Sequence, residues 1–374
     1  MKDEDGGFNE MIDARLAFSR NLERVRKRLG KSHEELGKEV GLTRQAIYKY
    51  EKGEVNPSMG AVFRISEALK LNVDYFFQNR TEREEFRRWL EIIDVTLTDA
   101  LSHASYRNKE GVHHDLEEKV KRETYTELVK LLAVEKITHD RIEFRNPIEN
   151  LVVKSREDAE NAALELRRKW QLHENAIANV MTLLESKGIR VVEILADQSF
   201  QGLSAKYGQI PIIVLNSKVR EVTRRRFTAL HELGHLLMNI PAGIDHASVE
   251  KICDSFAATM LLPRRLLRNE LGERRTTIST FEILRLKGIY GISVQAISVS
   301  ALLSKIINWD QYQKLTSEVN SRSLEYRIIE RPTRFKQLLS RAEAELWIDT
   351  QMASDLRGGR ISDAKSDNLI TEAL

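Results

Sequence analysis

Hydrophobic positions recur at helical spacing through most of the chain. Residues 16–77 form short helical patterns that glycines interrupt at Gly30 and Gly41. Farther along, apolar residues three and four positions apart predict amphipathic helices over residues 158–172 and 176–187. The pattern therefore predicts a mostly helical protein with a small helical domain near its N-terminal end.

Three runs with a different pattern lie in the middle of the chain. Residues 188–195, 202–207 and 210–215 are rich in β-branched side chains and are bounded by Gly and Asn, which is typical of strands. A longer helix is predicted directly after them, over residues 219–239. These runs predict a second domain in which a small sheet packs against helices.

Composition narrows the class of protein. The 374 residues allow two or three domains, and 41% hydrophobic with 31% charged residues is typical of a globular protein. No apolar run approaches the roughly 18 residues that a membrane span needs, so no membrane partner is expected. The single cysteine, Cys253, excludes an intramolecular disulfide and fits a reducing, cytoplasmic location.

Two short helices joined by a glycine are predicted in the N-terminal domain. Ser32 can cap the first helix, and Glu35 three residues later completes a capping box. Gly41 supplies the turn, and Thr43 can cap the second helix. This layout is that of a helix-turn-helix unit. The apolar residues that would hold its two helices together are Leu36, Val40, Leu42 and Ile47.

The second helix carries side chains suited to reading DNA. Arg44, Gln45 and Lys49 lie at its start and on one face, where base edges are contacted. Arginine suits guanine and glutamine suits adenine. Residues 20–52 hold ten Lys and Arg against five Glu, a local excess that suits a phosphate-facing surface although the net charge of the whole chain is only +3.

The N-terminal segment resembles the Xre family of phage Cro/C1-type repressors over about sixty residues. The resemblance implies that Arg44, Gln45 and Lys49 contact bases of double-stranded operator DNA, and that His33 and Thr43 face the DNA backbone. The family often has Gln where His33 stands, so that contact is expected to be pH-sensitive. The alternative is a domain that uses this fold for protein contacts only. Besides the two helices, the resemblance is carried by residues 22–26, 50–53, 56–58 and 68–77.

A metal-binding motif lies in the helix predicted over residues 219–239. His231, Glu232 and His235 form the pattern His-Glu-x-x-His, which puts both histidines on one helix face and Glu232 beside them as a general base. A catalytic zinc site needs a third protein ligand. The metzincin class would place a histidine at position 241, where the chain has Pro241, so that class is excluded.

A helix that follows the motif offers the third ligand. Glu250 would ligate the metal, as in gluzincin sites. Asp254, four residues later on the same face, could accept a hydrogen bond from a ligand histidine and fix its tautomer. Gly234 between the histidines permits the close approach of another backbone segment.

Residues 145–350 resemble the ImmA/IrrE family of zinc peptidases. The resemblance implies one Zn²⁺ per chain bound by His231, His235 and Glu250, with Glu232 as the catalytic base and an Xre-type repressor as the substrate. The motifs alone leave open whether zinc or manganese is the physiological metal. The resemblance is carried by residues 227–237, 250–258 and 261–263, with 166–170, 202–204, 213–216 and 330–335.

The expected fold class is α+β and mostly helical, with a zincin-like domain that contains a small β-sheet and the His-Glu-x-x-His helix. We expect a tail over residues 1–12, a helix-turn-helix domain over 13–78 and a helical connector over 79–145. The peptidase-like domain would occupy 146–300 and a helical extension 301–374.

Three functional hypotheses follow. The leading one is a homodimeric transcription regulator whose peptidase domain cleaves an Xre-type repressor, either itself or a partner. The second is a DNA-binding regulator or antitoxin whose metal domain is a non-hydrolytic sensor or dimerisation module. The third is a general protease with the DNA-binding domain as an adaptor.

Three further features have ordinary interpretations. Cys253 is expected to be a small buried residue, with a thiol that senses oxidation near the metal as the alternative. The run of three arginines at 224–226 is expected to be a solvated helix face, with nucleic-acid binding as the alternative. His246 is expected to be a loop histidine rather than a ligand.

Overall fold

The computed structural model describes residues 4–77, 105–106, 114–319, 326 and 330–358, except for 346 and 349. Its residues divide into two compact units. The first contains the N-terminal residues to 77 with 133–140 and 338–358, and the second contains the remaining described residues. The expected C-terminal extension is thus split between the units. The expected domain boundaries stay predictions.

The first unit begins with a bundle of five helices. Helix α1 begins at Glu4, within the segment expected to be a tail. Phe18, Leu22, Ile47 and Phe76 are fully buried in the core of this bundle. The helices are α1 (Glu4–Arg28), α2 (His33–Glu39), α3 (Arg44–Glu51), α4 (Met59–Ala68) and α5 (Val73–Phe77).

The helix-turn-helix predicted from the capping residues is confirmed. The Ser32 hydroxyl accepts from the Glu35 backbone N–H, and the Glu35 carboxylate accepts from the Ser32 N–H, which completes the capping box. Gly41 has a φ of +64°, a left-handed conformation that favours glycine. The Thr43 side chain caps α3 by accepting from the Ala46 N–H. Leu36, Val40 and Ile47 are buried in the common core, and Leu42 packs against it.

The expected connector is described only in part. Residues 79–104 and 107–113 lie outside the described residues. Helix α6 (His114–Thr138) covers most of the remainder.

A small mixed sheet organises the second unit. Its strands are β1 (Ser105–Tyr106), β2 (Arg190–Ile194), β3 (Gly202–Tyr207) and β4 (Ile210–Asn216), in the order β1-β3-β4-β2. Strands β3 and β4 are antiparallel, whereas β2 and β4 are parallel. Every residue of β4 is buried, as expected of a central strand covered on both faces. The three strands predicted from the sequence are confirmed.

Helices cover this sheet and surround one large hydrophobic core. The motif helix packs against β3 and β4, and the helix that follows it packs against the motif helix. The remaining helices are α7 (Arg156–Lys169), α8 (Val180–Ser186), α9 (Val222–Leu237), α10 (His246–Leu261), α11 (Arg264–Leu271), α12 (Thr280–Tyr290), α13 (Val294–Leu303), α14 (Trp309–Val319), α15 (Arg334–Ala344) and α16 (Thr350–Gly358).

Among the described residues, no single helix is long and apolar enough to cross a membrane. Helices α12 and α13 pass that test of length and composition only as a pair bent by 107°.

Candidate metal centre and nucleic-acid interface

The structure brings together the three side chains that the sequence selects as metal ligands. The Nε2 atoms of His231 and His235 are 3.1 Å apart. Glu250 places Oε2 3.4 Å from Nε2 of His231 and Oε1 3.2 Å from Nε2 of His235. Ligand atoms about 2.0–2.1 Å from a tetrahedral metal would be about 3.3 Å from one another. The two nitrogens and the carboxylate therefore have the spacing and the chemistry of a zinc ligand set.

The ionisation state of Glu250 also favours binding of a metal cation at this cluster. Burial raises the pKa of the Glu250 carboxyl, but hydrogen bonds and charges from His231 and His235 outweigh that effect and hold the pKa well below its usual range. Glu250 is therefore a carboxylate, which is the form that binds a metal.

Asp254 lies behind His231, as the sequence suggests. Its Oδ1 is 2.8 Å from Nδ1 of His231. A carboxylate accepts hydrogen bonds, so this contact keeps a proton on Nδ1 and leaves Nε2, which faces Glu250 and His235, as the nitrogen that would bind a metal in place of its proton. The His231 side chain is completely buried, whereas 17% of the His235 side chain is exposed. The site therefore opens to solvent on the His235 side.

Close packing around α9 depends on two glycines. A Cβ on Gly202 of β3 would lie 2.8 Å from Cγ2 of Thr228 and 3.5 Å from Cγ of Glu232. Its absence allows the helix segment with the buried Glu232 to lie directly on the sheet. A Cβ on Gly234 would lie 3.6 Å from Cα of Cys253, so the expected close approach of another backbone segment is confirmed, and that segment is α10.

Cys253 lies in the same cluster. It is fully buried on α10, and its sulfur and ring nitrogens of His231 and His235 are within 4.8 Å of one another. His246 is at the first position of α10 rather than in a loop, with 80% of its side chain exposed and Nε2 3.8 Å from Glu250.

The interpretation of the arginine run as a solvated face is wrong for two of its three members. Arg224 is exposed, but Arg225 and Arg226 are buried. Arg225 forms an ion pair with Glu193 of β2, and Arg226 forms one with Glu330. Sequence reasoning missed these pairs because their acidic partners are 32 and 104 positions away.

The residues predicted to contact DNA lie at the start of α3. Arg44, Gln45 and Thr43 are exposed, and Lys49 is partly exposed one turn later. His33 is engaged within the domain, because its Nε2 is 2.9 Å from Oε2 of the buried Glu51. Arg44, Gln45 and Lys49 are thus accessible to solvent, and their contact with bases stays a prediction.

Comparison with known families confirms both resemblances. Residues 22–76 match a family described as helix-turn-helix, and residues 184–301 match a peptidase family described as the IrrE N-terminal-like domain. The second match extends from the end of α8 into α13 and contains α9 and α10.

Curated proteins described as helix-turn-helix transcriptional regulators match shorter stretches of this chain. An uncharacterised helix-turn-helix transcriptional regulator of Bacillus subtilis, YgzD, is 36% identical over 56 residues, which is 15% of this chain and 85% of the relative. A regulator of the same description from Methanothermobacter thermautotrophicus is 50% identical over 44 residues, 12% of this chain and 64% of the relative. Another, from Rickettsia conorii, is 33% identical over 78 residues, 21% of this chain and 62% of the relative. The chain thus spans less than two thirds of the length of the last two.

A solved structure, Bacillus thuringiensis PlcR in complex with the peptide PapR7 and DNA, aligns over 96% of this chain and 98% of its own. Its identity is 9% and its TM-score 0.18, so the superposition carries no structural argument.

Proposed function

This chain belongs to the helix-turn-helix transcriptional regulators and carries an IrrE N-terminal-like domain, and on this premise we propose that it is a DNA-binding regulator with a zinc-dependent endopeptidase domain. The substrate is a repressor of the same helix-turn-helix class. That repressor is either this chain, cut in the connector over residues 79–145, or a partner. Cleavage removes a DNA-binding domain from the rest of its protein and thereby changes gene expression.

The observation that carries the proposal is the triangle of His231, His235 and Glu250. Its edges of 3.1, 3.2 and 3.4 Å match those of a tetrahedral zinc site. Three protein ligands are the number that catalytic zinc sites use, with a fourth position left for water or substrate. Asp254 supports the assignment, because ligand histidines in such sites donate their second N–H to a carboxylate.

Zinc at this position supplies a Lewis acid that polarises a peptide carbonyl and lowers the pKa of water. Glu232 is the general base that accepts the proton of the attacking water. It follows His231 directly on α9, and its burial beside Gly202 limits the conformations of its side chain. The proton that Glu232 accepts is then available to the leaving amine, so one carboxylate serves as base and acid.

The DNA-binding half acts through α3. Arg44 and Gln45 are exposed in its first turn, where a recognition helix meets base edges, and we expect Thr43 to contact the phosphate backbone. A homodimer would present two such helices to a palindromic operator in double-stranded DNA. Binding to a promoter also concentrates the peptidase domain near other regulators at that site.

A mixing experiment tests the peptidase assignment. Tagged Glu232→Gln protein, which lacks the base, is incubated as substrate with zinc-loaded wild-type protein. The same incubation is made with Glu221→Gln protein as the enzyme, a control variant at the residue that precedes the motif helix, outside the ligand cluster. We expect tagged fragments from both mixtures and none from the tagged substrate alone. A panel of helix-turn-helix repressors is assayed in the same way.

Two results would overturn the assignment. One is cleavage of the substrate by Glu232→Gln protein that retains its zinc. The other is the absence of any cleavage by zinc-loaded protein, with and without double-stranded or single-stranded DNA. The second result would favour a non-hydrolytic regulator, a candidate supported by the position of Cys253 beside both histidines.

A further inference from the structure

Two sets of potential ligands share the histidine pair of α9. His231 and His235 form one triangle with Glu250, and the same two residues form a second group with Cys253. Only the first group follows from the resemblance to zinc peptidases. With those three ligands alone, the fourth coordination position of a tetrahedral metal would be left to solvent or substrate.

The backbone of α10 explains why the thiol reaches this place. Glu250 and Cys253 are three positions apart, so they lie on the same helix face. Gly234 has no side chain to keep the helices apart, and a Cβ there would lie 3.2 Å from Cδ1 of Phe256 and 3.6 Å from Cα of Cys253. The cysteine backbone therefore lies against the α9 turn that separates the two histidines.

We propose that the Cys253 thiolate is a fourth protein ligand of this metal site, so that two histidines, one glutamate and one cysteine enclose the metal. The inference rests on the proposed zinc site and adds to it. Zinc accepts all four side chains, with sulfur at about 2.3 Å and nitrogen at about 2.0–2.1 Å. In a tetrahedron those lengths separate sulfur from nitrogen by about 3.5 Å. The sulfur of Cys253 and one ring nitrogen of each histidine lie within 4.8 Å of one another, a separation that small side-chain rotations would reduce to that value.

A fourth protein ligand affects both the selectivity of the site for a metal and its peptidase activity. Thiolate is a soft ligand that favours zinc over manganese, which prefers carboxylates and water. Four protein ligands also make a closed site, as in structural zinc domains. Hydrolysis then requires water or substrate to displace the sulfur, so the fourth ligand slows turnover of the zinc-loaded protein without preventing it.

Cobalt substitution tests the assignment without an activity assay. Full-length protein is purified without metal and titrated with Co²⁺, and visible and near-ultraviolet absorption are recorded. A thiolate ligand produces a sulfur-to-cobalt charge-transfer band, and four-coordinate cobalt produces intense visible bands. Because the chain has one cysteine, a charge-transfer band from the wild-type protein identifies Cys253 by itself.

The variants separate this inference from the proposed metal site. We expect Cys253→Ser and Cys253→Ala proteins to bind one cobalt but lack the charge-transfer band. The control, Ser255→Ala, removes a hydroxyl on the same helix that donates to the Lys251 carbonyl, and should retain the band. Wild-type protein that binds one cobalt without the band would overturn the role of Cys253 and leave the metal site standing. Wild-type protein that binds no cobalt or zinc would overturn both. If the cysteine variants fail to fold, the wild-type spectrum still decides.

Discussion

Arg226 and Glu330 form an ion pair in which neither side chain has any solvent exposure, although 104 positions separate them in the sequence. Arg226 lies five residues before His231 on the motif helix. Its Nη2 donates to the carbonyls of Ile177 and Tyr290, at 2.7 and 3.2 Å. The other oxygen of Glu330 accepts from the Val180 N–H at 2.9 Å. This pair therefore attaches α9 to the start of α8 and the end of α12.

Removal of the arginine should destabilise the second unit strongly. In Arg226→Met protein the buried Glu330 carboxylate loses its charged partner, and we expect a loss of about 3–5 kcal/mol in the free energy of unfolding. Urea unfolding followed by circular dichroism measures this loss. Arg224→Met is the matched control, because Arg224 is exposed on the same helix, and its effect should be within about 0.5 kcal/mol. Equal stability of the two variants would show that the pair has no structural role.

A methyl group at position 202 should impair catalysis more than metal binding. The Cβ of Gly202→Ala would lie 2.8 Å from Thr228 and 3.0 Å from the Val214 carbonyl, so α9 must shift away from β3 and carry Glu232 with it. A displacement of this kind can cost roughly 100-fold in rate. The measurement is the rate of repressor cleavage at full zinc occupancy. Gly288→Ala is the control, since a Cβ there meets no atom within 4 Å. An unaffected rate in Gly202→Ala protein would contradict the positioning of Glu232 by this contact.

Alanine in place of either histidine or of Glu250 should abolish stoichiometric zinc binding. We expect about one zinc per wild-type chain and a loss of bound zinc in His231→Ala, His235→Ala and Glu250→Ala proteins, measured by mass spectrometry of the metal after dialysis. His246→Ala is the control, because that side chain is 80% exposed and 3.8 Å from Glu250, and it should retain zinc. Zinc loss from the control equal to that from the ligand variants would reject the assigned set.

Replacement of Asp254 should weaken the affinity of the site for zinc, whereas the zinc occupancy at saturating metal should stay unchanged. Its carboxylate orients His231 through the 2.8 Å contact with Nδ1 and does not itself belong to the proposed ligand triangle. Asp254→Ala should therefore weaken zinc binding by about 10–100-fold, as found for groups that orient ligand histidines. Competition with a chromophoric chelator measures the change. An unchanged affinity would show that the contact does not orient the ligand.

Substitutions at the start of α3 should reduce sequence-specific DNA binding. Once an operator has been selected from random sequence with the wild-type protein, Arg44→Ala and Gln45→Ala should each weaken its binding by about 1–3 kcal/mol and relax selectivity at one base pair. Fluorescence anisotropy at fixed salt measures both effects. Arg224→Ala, which removes an exposed arginine from the other unit, should bind as wild type. Weaker binding by this control would support the alternative that the arginine run contacts nucleic acid.

Local features of the fold could be predicted because neighbouring residues determine them. The capping box of Ser32 and Glu35, the left-handed turn at Gly41 and the three main strands depend on hydrogen bonds or periodicity within a few positions. The same is true of His231 and His235, since one helical turn brings their side chains together whatever surrounds them. The sequence also supplied Glu250 and Asp254 as candidates, because a single helix places both on one face.

Contacts between segments that are distant in the sequence could be identified only from the tertiary structure. Three adjacent arginines have the composition of a solvated surface, yet Arg225 and Arg226 are buried because Glu193 and Glu330 approach them from other elements. For Cys253 the sequence left open an ordinary core residue or a thiol near the metal, and the packing of α10 against Gly234 brings it beside the two histidines. The sequence by itself thus determined the helix that presents the two histidines and the local form of the DNA-reading helix. Only tertiary packing decided which carboxylates and which thiol surround the two histidines. The burial of a charge or a sulfur depends on partners that sequence spacing does not reveal.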